Sequence, residues 1–127
     1  MHELSIIYSI LETAEKEATQ RGGKYEVEAI ELEIGELAGV EISSIEFLWP
    51  AAVEQTVLEN ATFHITRVAG EGVCSDCDRA FAIQNYFDPC PDCGSYLIQI
   101  TKGEELRVKS LTLVNKPDIT SIPQNWN

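Results

Sequence analysis

From Leu4 onward apolar side chains recur as Leu4, Ile7, Tyr8, Leu11, Ala14 and Ala18, the i, i+3, i+4, i+7 spacing of one helical face. A helix is expected almost from the first residue, with Glu3 at the positive end of its dipole and Gly22-Gly23 as its stop. The rhythm then changes. Tyr25-Glu26-Val27-Glu28-Ala29 alternates, and Ile30-Glu31-Leu32-Glu33-Ile34 alternates in the opposite phase, so one strand with a bulge near Ala29 is expected. After a loop from Gly35 to Gly39, Ser43-Ser44-Ile45-Glu46 has the form of a capping box opening a second helix. Its buried face would be Ile45, Leu48, Trp49, Ala52 and Val53, and Pro50 inside it predicts a kink or a later start.

Asn60 closes that segment, and Thr62 to Val68 alternates enough for a second strand. Short strands are expected around Arg79 to Ile83 and Tyr96 to Ile100, and sheet-like sequence resumes at Leu106-Arg107-Val108 and Leu111-Thr112-Leu113. The stretch from Lys116 to Asn127 holds two prolines, few aliphatics and a lone Trp126, and reads as an extension that is disordered or orders on contact.

Between the second strand and the last sheet-like sequence lie all four cysteines, Cys74, Cys77, Cys90 and Cys93, as two Cys-x-x-Cys pairs twelve residues apart. Each pair suits one side of a tetrahedral ion, and four thiolates suit Zn(II); two disulfides are the alternative. Gly94 after Cys93 fits the tight turn of such a knuckle. The cysteine unit therefore reads as an insertion between two strands, which favours a closed structural site.

Composition narrows the picture further. A chain of 127 residues buries one core of ordinary size, so a second unit must be small and stapled. No apolar run approaches the roughly 20 residues of a membrane span, and no basic, apolar leader opens the chain. A soluble, cytoplasmic protein without membrane contact is expected, in a compartment where paired cysteines bind metal in preference to oxidising. The formal net charge of −12 argues against nucleic acid, because phosphate contact needs clustered Lys and Arg. From Glu71 to Lys102 only Arg79 and Lys102 stand against five acids.

Candidate chemistry outside the cysteines is confined to Met1-His2-Glu3. A free α-amine, the amide nitrogen between residues 1 and 2 and the His2 imidazole close fused chelate rings, an all-nitrogen planar set that suits Ni(II) or Cu(II). The first N–H groups of a helix lack intrahelical partners, so their nitrogens are available without breaking a helix bond. The dipole opposes a cation there by about 0.3–1 kcal/mol, and Glu3 and Glu41 are candidates to offset it. The competing reading makes His2 an ordinary solvated residue, as His64 is expected to be. No nucleophile motif or phosphate-cradling Gly-rich loop is present, so no enzyme activity is indicated.

Met1-His2-Glu3-Leu4-Ser5, Leu32-Glu33-Ile34-Gly35, the four-cysteine box and Val108-Lys109-Ser110-Leu111, in that order on one short chain, resemble the HypA/HybF hydrogenase maturation proteins from Met1 to about Asn115. The resemblance implies an α+β fold: a small mixed three-stranded sheet with two helices, the nickel domain, carrying an inserted zinc-ribbon-like domain. The corresponding division is 1–69 with 104–115 for nickel, 70–103 for zinc, and 116–127 as a C-terminal extension. It also implies a non-enzymatic metallochaperone that carries Ni(II) as cargo to the [NiFe]-hydrogenase large-subunit precursor, working with a HypB-type GTPase and in some relatives serving urease maturation. Nickel would fall on Met1 and His2 with Glu3 beside them, Glu41 nearby, and structural Zn(II) on Cys74, Cys77, Cys90 and Cys93. The extension is longer than the usual family ending and leaves room for a homodimer exchanged through that arm. An acidic zinc-ribbon adaptor without nickel cargo is the alternative function.

Overall fold

In the computed structural model, which describes residues 2–22 and 25–115, the elements run α1 (Glu3–Gln20), β1 (Tyr25–Gly35), α2 (Ile42–Ala52), β2 (Thr62–Val68), β3 (Glu71–Cys74), β4 (Ala80–Ala82), β5 (Ile98–Lys102) and β6 (Leu106–Asn115). They form two three-stranded sheets, ordered β2-β1-β6 and β4-β3-β5. In the first, β1 pairs parallel to β2 and antiparallel to β6, which makes it mixed. The parallel pair follows from the crossover through α2, since parallel neighbours need a long connection. The expected extension lies outside the described residues, as do Met1 and Gly23.

The core is built from one face of β1 and the helices: Ile30, Leu32 and Ile34 meet Ile7, Ile10 and Ala14 of α1 and Ile45 and Trp49 of α2. Trp49 also stacks on Phe63 of β2, with ring centroids 4.5 Å apart. In α1 the buried stripe is Ile6, Ile7, Ile10, Ala14 and Ala18, whereas Leu4 and Tyr8, expected on it, are 39% and 53% exposed. The cause is the helix's placement: Ile6 and Ile10 turn toward Leu32, Leu106 and Val108, with which they line one groove.

The bulge expected near Ala29 is present. Val27 faces Leu113 while Ala29 faces Thr112, which leaves Glu28 as the extra residue. A second shift leaves Lys109 unmatched on β6, so Leu106 to Asn115 is one continuous strand whose two apolar phases are reconciled by that residue. The capping box does not form. α2 starts earlier, with Glu41 as its N-cap and no side-chain cap bond, and Ser43 Oγ instead donates to Glu41 Oε1 at 3.3 Å. Pro50 delays nothing. It lies inside α2, in its last turn, where it withholds the N–H that the Glu46 carbonyl would accept, and the helix ends two residues later at Ala52.

The junction between the two sheets is built on glycines. Leu37 N–H donates to Gly103 O at 2.8 Å across it, while Gly35 N–H to Glu105 O at 2.7 Å extends the β1–β6 pairing and Ile83 N–H to Gly70 O at 3.0 Å extends the β3–β4 pairing up to it. Gly103 has φ +110, and a Cβ there would stand 2.7 Å from Gly70 Cα. A Cβ on Gly35 would overlap the Gly103 carbonyl. Only glycine allows the backbones this approach.

Candidate metal centres

The central strand of the second sheet, β3, ends at Cys74, so the sheet itself aims the first sulfur. Each Cys-x-x-Cys then folds as the same turn. Asp78 N–H donates to Cys74 O and Gly94 N–H to Cys90 O, both at 2.9 Å, while Cys74 N–H donates to Arg79 O at 2.9 Å and Cys90 N–H to Ser95 O at 2.8 Å. The fifth residue of each turn is left-handed, with φ +63 at Asp78 and +75 at Gly94. The expected glycine is therefore present in one knuckle and replaced in the other by aspartate, among the residues that tolerate this conformation.

The two turns face each other with Cys74 Sγ 3.5 Å from Cys93 Sγ and Cys77 Sγ 3.5 Å from Cys90 Sγ, and all four sulfurs lie within 4.8 Å of one another. Four sulfurs at about 2.3 Å from a tetrahedral ion stand about 3.8 Å apart. The set fits such an ion, and it excludes the two-disulfide alternative in this structure, since bonded sulfurs lie about 2.05 Å apart. Cys74 and Cys90 are buried, Cys77 and Cys93 exposed.

The electrostatics of the cluster are those of crowded thiols. The Arg79 amide pulls on Cys77, but the adjoining Cys90 sulfur and burial outweigh it and raise the Cys77 thiol to about 12. The Cys93 and Asp92 amides hold Cys90 down at about 7; the Asp92 N–H reaches its sulfur at 3.4 Å. A divalent ion reverses the proton preference, because a coordinating thiol is deprotonated outright.

Outside the sulfurs the knuckles exchange side chains reciprocally. Arg79 Nη1 donates to Asp92 Oδ1 at 2.9 Å and Oδ2 at 3.0 Å, and Ser95 Oγ donates to Asp76 Oδ2 at 2.5 Å. Sequence reading passed over these partners. Their signal is the shared third-position aspartate in Cys-Ser-Asp-Cys and Cys-Pro-Asp-Cys.

The other candidates gather at the start of α1. His2 is its exposed N-cap, and Ile6 N–H donates to His2 O at 3.3 Å. Across 38 residues, Glu41 N–H donates to Glu3 Oε2 at 3.2 Å, so the N-terminal ends of α1 and α2 meet. That amide, then its own, hold the Glu3 carboxyl below its usual value. Met1 lies outside the described residues. His64 is exposed on β2, as expected.

A sequence profile described as "Hydrogenase/urease nickel incorporation, metallochaperone, hypA" matches residues 1–113. The hydrogenase maturation factor HypA of Parabacteroides distasonis is 50% identical over 113 residues, covering 89% of this chain and 97% of that protein. That of Geobacter metallireducens is 49% identical over 111 residues, covering 87% and 97%. The solution structure of the Ni metallochaperone HypA from Helicobacter pylori superposes with a TM-score of 0.66 at 26% identity, covering 91% of this chain and 100% of that one. The class so defined is the nickel-incorporation metallochaperone, a maturation factor that handles a metal and is not an enzyme. Within it, the chain belongs to the HypA family of hydrogenase and urease nickel incorporation.

Proposed function

We propose that this chain binds Ni(II) through the Met1 amine, the His2 imidazole and backbone nitrogens of the first turn, and passes it to the large-subunit precursor of a [NiFe]-hydrogenase with the help of a HypB-type GTPase. Glu3 and Glu41 supply negative charge at helix ends whose dipoles otherwise repel a cation. Cys74, Cys77, Cys90 and Cys93 hold a structural Zn(II), with all four positions filled by protein so that none is left for cargo. The division into a nickel domain of 1–69 with 104–115 and a zinc domain of 70–103 belongs to the same reading.

The observation that carries it is the meeting of Glu3 and Glu41 beside His2. Glu3, next to the histidine that caps α1, reaches across to the backbone amide of Glu41 at the start of α2, and the first amides of a helix have no partners within it. The test is calorimetric titration of nickel into untagged protein. His2→Ala is expected to weaken binding by at least tenfold, and so is a tag joined to Met1, which turns the amine into an amide. Wild-type affinity in His2→Ala removes His2 from the site.

A further inference from the structure

The cysteine turns carry an internal repeat that goes beyond the four sulfurs. Counting each first cysteine as position one, the third residues are Asp76 and Asp92 and the sixth are Arg79 and Ser95. The third residue of each knuckle bonds the sixth of the other, just as the first sulfur of each contacts the second sulfur of the other. Among the described residues the backbone ties the flanks of the knuckles together at Ser75 N–H, which donates to Leu97 O at 2.8 Å. The two side-chain pairs add further ties between the knuckles.

We propose that Asp76–Ser95 and Arg79–Asp92 are paired latches: positioning residues that hold the two cysteine turns face to face and so slow loss of the metal ion. The inference rests on the reading of the cysteines as a metal site. An ion leaving four thiolates must first shed one or two of them, which requires the turns to part, and both latches resist that parting. They do so by different physics. Arg79–Asp92 joins two charges whose side chains are 48% and 56% exposed, so salt weakens it. Asp76–Ser95 pairs a carboxylate with a hydroxyl and responds less. Arg79 also places positive charge beside a centre that four thiolates and a divalent ion leave at two negative charges. Asp76, Asp78 and Asp92 crowd the same turns with like charge.

The experiment uses the full untagged chain loaded with Zn(II) or with Co(II), whose visible bands report tetrahedral thiolate geometry. Metal transfer to a chromophoric chelator is timed at low and high salt. Arg79→Met and Ser95→Ala are each expected to speed release by about two- to five-fold, the range for an exposed pair. The double variant is expected to release metal faster than either single variant, because each latch resists the parting of the turns. Raising salt is expected to speed release from the wild type but not from Arg79→Met. Arg79→Lys, which keeps the charge on a more flexible and more strongly hydrated head, is expected to fall between. Arg107→Met, which removes the Glu33 pair of the first sheet, serves as control.

Release rates at the wild-type value in both single variants overturn the latches, and so does equal acceleration in Arg107→Met, which marks general destabilisation. Wild-type protein that takes up no Co(II) into a thiolate site sinks the metal reading itself, and the latches with it.

Discussion

Glu3 is the residue on which two helices depend. Its carboxylate occupies the first turn of α1 and accepts the amide of Glu41, the N-cap of α2, so one negative charge serves two positive helix ends. Because its folded value is lowered from 4.5, the stability it confers is complete above that pH and is lost as pH falls below 4.5 through the folded value. Glu3→Gln is therefore expected to lower stability at neutral pH and to match the wild type at the acid end, as read by denaturant unfolding at a series of pH values; a constant gap at every pH would refute it. The clustering of the four cysteines was legible because each pair is local, with two residues between its members on one turn. That Glu3 and Glu41 lie at the same end of the fold was expected, but not the form of their contact, a carboxylate on a backbone amide 38 residues away. Asp76 and Asp92 stood in plain view as repeated third positions, but their partners depend on how the turns face each other.

Elements were legible where one period dominated. β1 announced itself, bulge included, because its alternation is strict on both sides of Glu28. The stripe of α1 was misplaced by part of a turn, because its sequence offers apolar residues on both shoulders and the sheet alone decides which is covered. β3 went unread: Glu71-Gly72-Val73-Cys74 is short, and its glycine is there for closeness, with a Cβ at Gly72 standing 2.7 Å from Ile98 Cγ2. The glycine junction permits a graded test. Gly22 and Gly103 both have positive φ, +90 and +110, but a Cβ at Gly22 meets nothing within 4 Å. Gly22→Ala is expected to cost about 1 kcal/mol for the left-handed backbone. Gly103→Ala is expected to cost about 2–4 kcal/mol, because the Gly70 backbone is also in the way. Thermal melting of the two variants measures the difference, and equal losses would mean that the junction is looser than its distances.

At the scale of the whole molecule, the two sheets draw on separate sources of stability. The first has the apolar core; the second, three short strands, relies on its cysteines, and metal-bound units of this kind gain about 10–16 kcal/mol of apparent binding energy in small peptides. Cys74→Ala, or a strong chelator, is expected to abolish the β4-β3-β5 sheet while circular dichroism retains α1 and α2. Loss of helicity in step with metal would show that the units do not stand apart. Among the described residues no helix is long and apolar enough to cross a membrane. The contact of Gly70 with Gly103 bears on the same outcome. The chain leaves the first sheet and returns to it at touching points, so a metal-free cysteine unit becomes a slack loop whose ends are already pinned. The entropic cost of a closed loop rises only with the logarithm of its length. On that reasoning β2 and β6 are expected to feel little of what happens between them, and Cys74→Ala is expected to leave standing the sheet that carries the N-terminal helix.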